Sequence, residues 1–117
     1  MRDHTKLKAF ELADRLVLTV YRVTQSFPKE ELHGLTAQMR SAAISVPSNI
    51  VEGCARNSQS DYVHFLDMAY GSARELQYQV SVAMRLGYVP DSEIVTRECE
   101  ETSRVLNGLI RSLRRSS

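Results

Sequence analysis

A proline inside a helical run constrains this chain more than any other feature. The stretch Gln38-Met39-Arg40-Ser41-Ala42-Ala43-Ile44-Ser45-Val46-Pro47-Ser48-Asn49-Ile50-Val51-Glu52-Gly53 has helical spacing, with Pro47 in its interior. An interior proline lacks the amide that would bond the Ala43 carbonyl, and its ring crowds that carbonyl, at a cost of ~3 kcal/mol. A helix from about Leu35 to Glu52, stopped at Gly53 and kinked at Pro47, is therefore expected, with a bend that is of use to the molecule. Projected at roughly 100° per residue, Leu35, Met39, Ala43, Val46 and Ile50 form a main apolar stripe. Ile44 and Val51, with small Ala37 and Ser48, form a second stripe well away from it. A polar line of Gln38, Ser45, Asn49 and Glu52, with Ala42 in it, lies between the two. A helix apolar on most sides needs partners on most sides.

Three further segments carry the same period. The first runs from about Ala9 to Ser26, with Phe10, Ala13, Leu16, Val17, Val20, Tyr21, Val23 and Thr24 on one side and Glu11, Asp14, Arg15 and Arg22 on the other. Phe27-Pro28 ends it, because the residue before a proline disfavours helix. The third begins at Ser58, an N-cap with Asp61 reaching back, and runs to about Leu86. Its core stripe is Tyr62, Phe65, Leu66, Ala69, Ala73, Leu76, Val80, Ala83 and Met84. A second stripe holds Met68, Gly71, Glu75, Tyr78, Val82 and Leu86, and Gly71-Ser72 is expected to mark a close helix contact. Gly87-Tyr88-Val89-Pro90 breaks the chain. The fourth helix, capped by Asp91 or Ser92, runs to about Arg114 with Val95, Cys99, Thr102, Leu106, Leu109, Ile110 and Leu113 inward. Glu93, Glu98, Glu100 and Glu101 lie early in it and Arg111, Arg114 and Arg115 late, which suits the helix dipole.

At 117 residues the chain is expected to be a single domain, 1–117, with its core in about 8–114 and short basic tails at both ends. Four helices with mostly short connections predict an all-α, up-down-up-down antiparallel four-helix bundle. One such core leaves the second stripes of the middle helices uncovered, and contiguous exposed apolar surface marks an interface. A homo-oligomer follows, without its number. Net charge is +1, so any nucleic-acid argument rests on local patches. Two cysteines, Cys54 and Cys99, form no CxxC and no disulfide framework, which predicts reduced thiols, small hydrophobes in a cytoplasmic protein. No apolar stretch approaches the ~20 residues of a membrane helix, and the N-terminus lacks the apolar run of a signal peptide.

The residues at Phe27-Pro28, Glu31, Gly34-Leu35, Gln38 to Gly53, Arg56, Phe65-Leu66, Ala69 to Ser72 and Glu75-Leu76 resemble the 23S rRNA intervening-sequence proteins, also labelled S23-type. That family is similar to the accessory variability determinant proteins of diversity-generating retroelements. The string S-[IV]-P-x-N-I-x-E-G at Ser45 to Gly53, with G-S-x-x-E-L at Gly71 to Leu76, carries the likeness. The resemblance implies an up-down four-helix bundle and a ring-like homopentamer with a central channel. It also implies, through the retroelement relatives, contact with nucleic acid or a nucleic-acid-processing partner by a basic surface. Ser41 stands where the family often has a basic residue, and Val51 where a small alanine is common.

Two groups of polar residues are candidate sites. Gln38, Ser45, Pro47, Asn49, Glu52 and Arg56, with Gly71 and Glu75 on the third helix, form an expected structural or interface cluster. Asn49 or Ser45 can satisfy the carbonyl freed by Pro47, and Arg56 can clamp Glu52 or Glu75. A subunit contact and a ligand site are the other readings of the same cluster, and Glu52, Arg56 and Glu75 are its only acid–base candidates. Arg104, Arg111, Arg114 and Arg115, with Lys6, Lys8 and Arg2 at the other terminus, form a basic patch if the chain ends meet. Repeated round a ring, that patch favours phosphate backbones. The alternative is a solvated helix face. Glu30 to His33 sits in a connector, Asp61 and His64 are better read as a cap and a solvated or interface histidine, and His4 lies in a tail, so no metal site is expected. Tyr70 and Tyr78 lie outside the core stripe, at an interface or in solvent. No nucleophile–base pair, cofactor or small-molecule substrate is expected, and no membrane. The chain reads as a non-enzymatic oligomeric scaffold binding RNA or a nucleic-acid-processing partner; a purely structural, protein-binding oligomer is the alternative.

Overall fold

The computed structural model describes residues 2–89 and 92–116, with the side chains of Ser92 and Glu93 left out. The expected cap at Asp91 or Ser92, the dipole contribution of Glu93 and the break at Pro90 therefore lie outside the described part. Four helices, α1 (Lys8–Thr24), α2 (Leu35–Cys54), α3 (Gln59–Arg85) and α4 (Ser92–Arg115), account for most of the chain, and no strand occurs among the described residues. Each helix packs on its two neighbours in the cyclic order α1, α2, α3, α4, with α4 closing on α1. The result is a four-helix bundle of 46 × 22 × 19 Å.

The local signals act as the physics requires. Ser58 Oγ accepts the Asp61 amide at 3.1 Å and starts α3. Gly87, at φ +76°, ends it in a Schellman motif. The Tyr88 amide bonds the Ala83 carbonyl at 2.9 Å and the Gly87 amide bonds that of Met84 at 3.0 Å. Glu31 ties two connections together. Its Oε1 accepts the Leu35 amide at 3.1 Å, capping α2, and its Oε2 accepts the Tyr88 hydroxyl at 3.0 Å.

The core has two layers. Leu16, Val20, Met39, Leu76, Val80 and Val95 centre one; Ala13, Val46, Ile50, Tyr62, Leu66 and Leu106 centre the other. Cys54 and Cys99 are buried free thiols in these layers. Two of the expected core-stripe residues, Tyr21 and Met84, are exposed, and several others, Phe10 among them, are only half-buried. The inward arc of α1 is filled by Ala9, Leu12 and Thr19 instead of Tyr21 and Phe10. Met84 is exposed, on the last turn of α3, where its sulfur meets the Thr96 hydroxyl at 3.6 Å rather than the core.

The expected tight contact at Gly71 is absent. Gly71 is exposed, and a Cβ there meets nothing within 4 Å. Two residues separate it from buried Ala73, about 200° of helical turn, so it faces outward. The close approach of α2 and α3 lies at Gly53. A Cβ there would sit 2.9 Å from Phe65 Cβ and 3.3 Å from the Tyr62 ring and carbonyl. Gly53 is also not the stop of α2, which runs through Cys54.

Candidate functional site

α2 continues unbroken through Pro47, which is buried. The Asn49 amide does not reach the carbonyl that Pro47 frees. Asn49 Nδ2 donates instead to the Ser45 carbonyl at 2.8 Å and to Ser45 Oγ at 3.2 Å. The reason is angular: Asn49 is about 200° of helix from Pro47 and lies toward α3, whereas Pro47 borders a groove shared with α1. Ser45 Oγ is in turn 3.0 Å from Ser72 Oγ, which joins α2 to α3.

The polar cluster read from the sequence separates into two parts. Gln38, Ser45 and Glu75 line a shallow groove between α2 and α3, together with Ser41, Ala42 and Gln79. Gln79 is buried, and its Oε1 has no hydrogen-bond partner. Arg56 pairs with Glu52, not Glu75, and its guanidinium lies 4.7 Å from the Phe65 ring centroid. The antiparallel pairing of Ser45 with Ser72 puts Glu52 and Glu75 on levels about ten residues, or ~15 Å, apart. The acid–base trio of Glu52, Arg56 and Glu75 is thus not assembled in this fold. Gly71 belongs to neither part.

The N-terminal turn packs on α1 and α2 and makes no contact with α4, so both chain ends lie at one end of the bundle without touching each other among the described residues. The Arg2 amide bonds the Cys54 carbonyl at 3.1 Å, and the Arg2 guanidinium lies 4.0 Å from the Tyr62 ring centroid. At the same end Gln59 Nε2 donates to the Leu113 carbonyl at 3.0 Å, tying the start of α3 to the last turns of α4. Lys6, Lys8, Arg111, Arg114 and Arg115 are exposed on the elements that gather there. Two of them have acidic partners: Lys8 is 3.6 Å from Glu11, and Arg114 pairs with Asp67. Exposed pairs of this kind contribute little to stability. Arg104 is apart from this end. It borders a groove between α3 and α4 with Arg74, a residue that no sequence motif singled out.

His4 is not in a loose tail. It forms a short 3-10 turn, His4–Lys6, with its ring edge-on to Phe10 at 4.7 Å between centroids. No group of three or more His, Cys, Asp or Glu suited to a metal ion occurs among the described residues. No described helix is long and apolar enough to cross a membrane.

Apolar side chains remain in solvent at several places, Leu18, Leu32 and Ile94 among them, and two groups belong to the second stripes and the grooves beside them. Val17, Ile44, Pro47 and Val51 line a groove between α1 and α2, and Ile44 and Val51 are 43% and 38% exposed. On the outer face of α3, Met68, Tyr78 and Leu86 are 44%, 66% and 53% exposed. Met68 and Tyr78 flank Gly71 by three and seven residues, which keeps them on its side of the helix.

Comparison with known proteins gives two findings. The profile of the 23S rRNA-intervening sequence proteins matches residues 5–108. A crystal structure of a protein of unknown function from the S23 ribosomal protein family of Bacteroides thetaiotaomicron VPI-5482 superposes with a TM-score of 0.81 at 18% identity. The match covers 88% of this chain and 95% of that one, and at such identity it establishes the fold alone. No curated protein matches the chain.

Proposed function

We propose, from the premise that the chain belongs to the 23S rRNA-intervening sequence protein family, that it is a non-enzymatic scaffold whose copies form a ring and hold RNA. The carrying observation is the pair of exposed apolar surfaces on different faces of one bundle. Ile44 and Val51 lie in the α1/α2 groove, and Met68, Tyr78 and Leu86 on the outer face of α3. A patch on one face that covers a different patch on the next copy makes a head-to-tail contact, and such contacts close into rings when the rotation allows. Five copies are what the family resemblance implies.

The RNA half of the reading rests on the basic end. Lys6, Arg111 and Arg115 have no acidic partner among the described residues, and a ring repeats this end once per copy. Affinity for single-stranded RNA should therefore fall steeply with salt, since bound cations release counterions from phosphates. Arg111→Glu with Arg115→Glu should weaken RNA binding at least about tenfold at 0.1 M salt and leave the melting temperature unchanged. Fluorescence anisotropy with a labelled oligonucleotide measures both effects. Binding that ignores salt, or a double variant that binds as well as the parent, would favour the second reading. In that reading the oligomer is purely structural, and the observation on its side is that Lys8 and Arg114 already face Glu11 and Asp67.

A further inference from the structure

The groove between α3 and α4 has the chemistry of an anion site. Arg74 and Arg104 come from opposite walls of a cleft of about 360 Å³, with Tyr70, Ser103 and Asn107 beside them. Arg15, Arg56 and Arg114 each have a carboxylate partner, but neither Arg74 nor Arg104 forms an ion pair among the described residues. Arg74 is oriented from within its own helix: Nη1 donates to the Tyr70 hydroxyl at 3.1 Å, and the guanidinium lies 5.9 Å from that ring. Glu100 also borders the groove, so two guanidiniums face one carboxylate and the cleft keeps a positive excess.

An independent sign comes from Ser103. It is 6% exposed, and its hydroxyl oxygen is buried without a hydrogen-bond partner. A serine inside a helix either points to solvent or bonds the carbonyl four residues back, as Thr102 does to Glu98 at 2.7 Å on the adjacent position. A buried hydroxyl left unsatisfied is costly, and one at the floor of an arginine-lined cleft is available to a bound oxyanion.

We propose that this groove binds a phosphate group through Arg74 and Arg104, with the Ser103 hydroxyl turning outward to donate to the third oxygen. Guanidinium forks suit phosphate because each presents parallel N–H groups to two oxygens. The site is separate from the basic end and does not depend on RNA binding there. The phosphate has two sources with the same chemistry: a free or terminal phosphate, and a phosphodiester of the RNA backbone.

The test is a two-dimensional amide NMR titration of the full chain, first with inorganic phosphate and then with a ten-nucleotide single-stranded RNA. Phosphate should shift amides in 70–77 and 100–107, saturably, and should do so in the Arg111→Glu, Arg115→Glu variant as well. Arg74→Gln with Arg104→Gln should weaken phosphate binding about tenfold or more at an unchanged melting temperature. Ser103→Ala should weaken it by a smaller factor without loss of stability. RNA that shifts the same amides and loses those shifts in the Gln variant identifies the backbone as a source. RNA that leaves them unmoved, while phosphate moves them, confines the site to free or terminal phosphate. Phosphate shifts that are absent, scattered over all basic surfaces, or unchanged in the Arg74, Arg104 variant would overturn the proposal, whatever the RNA result.

Discussion

Gly53→Leu should destabilise the fold by about 3 kcal/mol, a fall in melting temperature of roughly 12 °C for a domain of this size. The Cβ alone would lie 2.9 Å from Phe65 Cβ and 3.3 Å from the Tyr62 ring. Phe65 Cβ is fixed to the α3 backbone, so relief requires α2 and α3 to separate. Separation also disturbs Cys54, Tyr62 and Leu66, which share one core layer. Leucine is a better helix former than glycine by roughly 0.8–1 kcal/mol, which offsets only part of the overlap. Gly71→Leu is the control. Nothing lies within 4 Å of its Cβ, so helix propensity dominates and the isolated subunit should become slightly more stable. Its effect should appear in assembly, because Gly71 shares the outer face of α3 with Met68 and Tyr78. Thermal denaturation by circular dichroism separates the two glycines; equal destabilisation would refute the packing described for α2 and α3.

The second large effect is loss of stability in alkali. Burial pushes the Cys99 thiol up from 9.0 to about 12, with Glu98 and Glu100 adding to the shift. Burial also raises the Tyr62 phenol from 10.0 to about 12, with the Cys54 thiol contributing. Burial raises Cys54 itself, and the hydrogen bond to Glu31 raises Tyr88. In every case the folded state holds the proton more tightly than the unfolded chain. The stability these groups contribute is therefore complete below pH 9 and is lost as pH rises toward 12. Cys99 alone accounts for a loss on the order of 3 kcal/mol by pH 11. Urea denaturation at pH 8, 9, 10 and 11 should show the decline, and Cys99→Ala should be less stable at pH 8 yet lose less between pH 9 and 11. Parallel curves for the two proteins would show that the thiol is not held neutral by its surroundings.

The helices were legible because their signals are local. Ser58 caps α3 as its spacing with Asp61 suggests, and Leu35 starts α2 as expected. Main-stripe residues such as Met39, Val46, Ile50, Leu66 and Leu106 are fully buried. Ile44, Val51, Met68 and Tyr78 stay exposed on the second stripes, as a single core requires. What failed needed knowledge of the neighbour. A small residue in a sequence does not say which helix approaches it, so Gly71 was read as the contact and Gly53 as a stop. Spacing along one helix placed Glu52 and Arg56 together, but the level of Glu75 depends on how α3 slides against α2. Antiparallel order alone places both chain ends at one end of the bundle, but not in contact. Arg74 was missed because its significance comes from Arg104 on another helix, and Ser103 because a buried serine has no signature in one sequence.

The central claim is that copies of this chain cover one another head to tail. Light scattering after size-exclusion chromatography tests it most directly, using the parent protein and the variants Ile44→Glu and Tyr78→Glu. The parent, at 13.3 kDa per chain, should elute as a closed multiple of that mass, and each variant alone as a folded monomer. Mixed together, the variants should form a heterodimer and nothing larger, since each retains the patch the other has lost. A folded monomer for the parent at micromolar concentration, or variants that assemble as the parent does, would contradict the account.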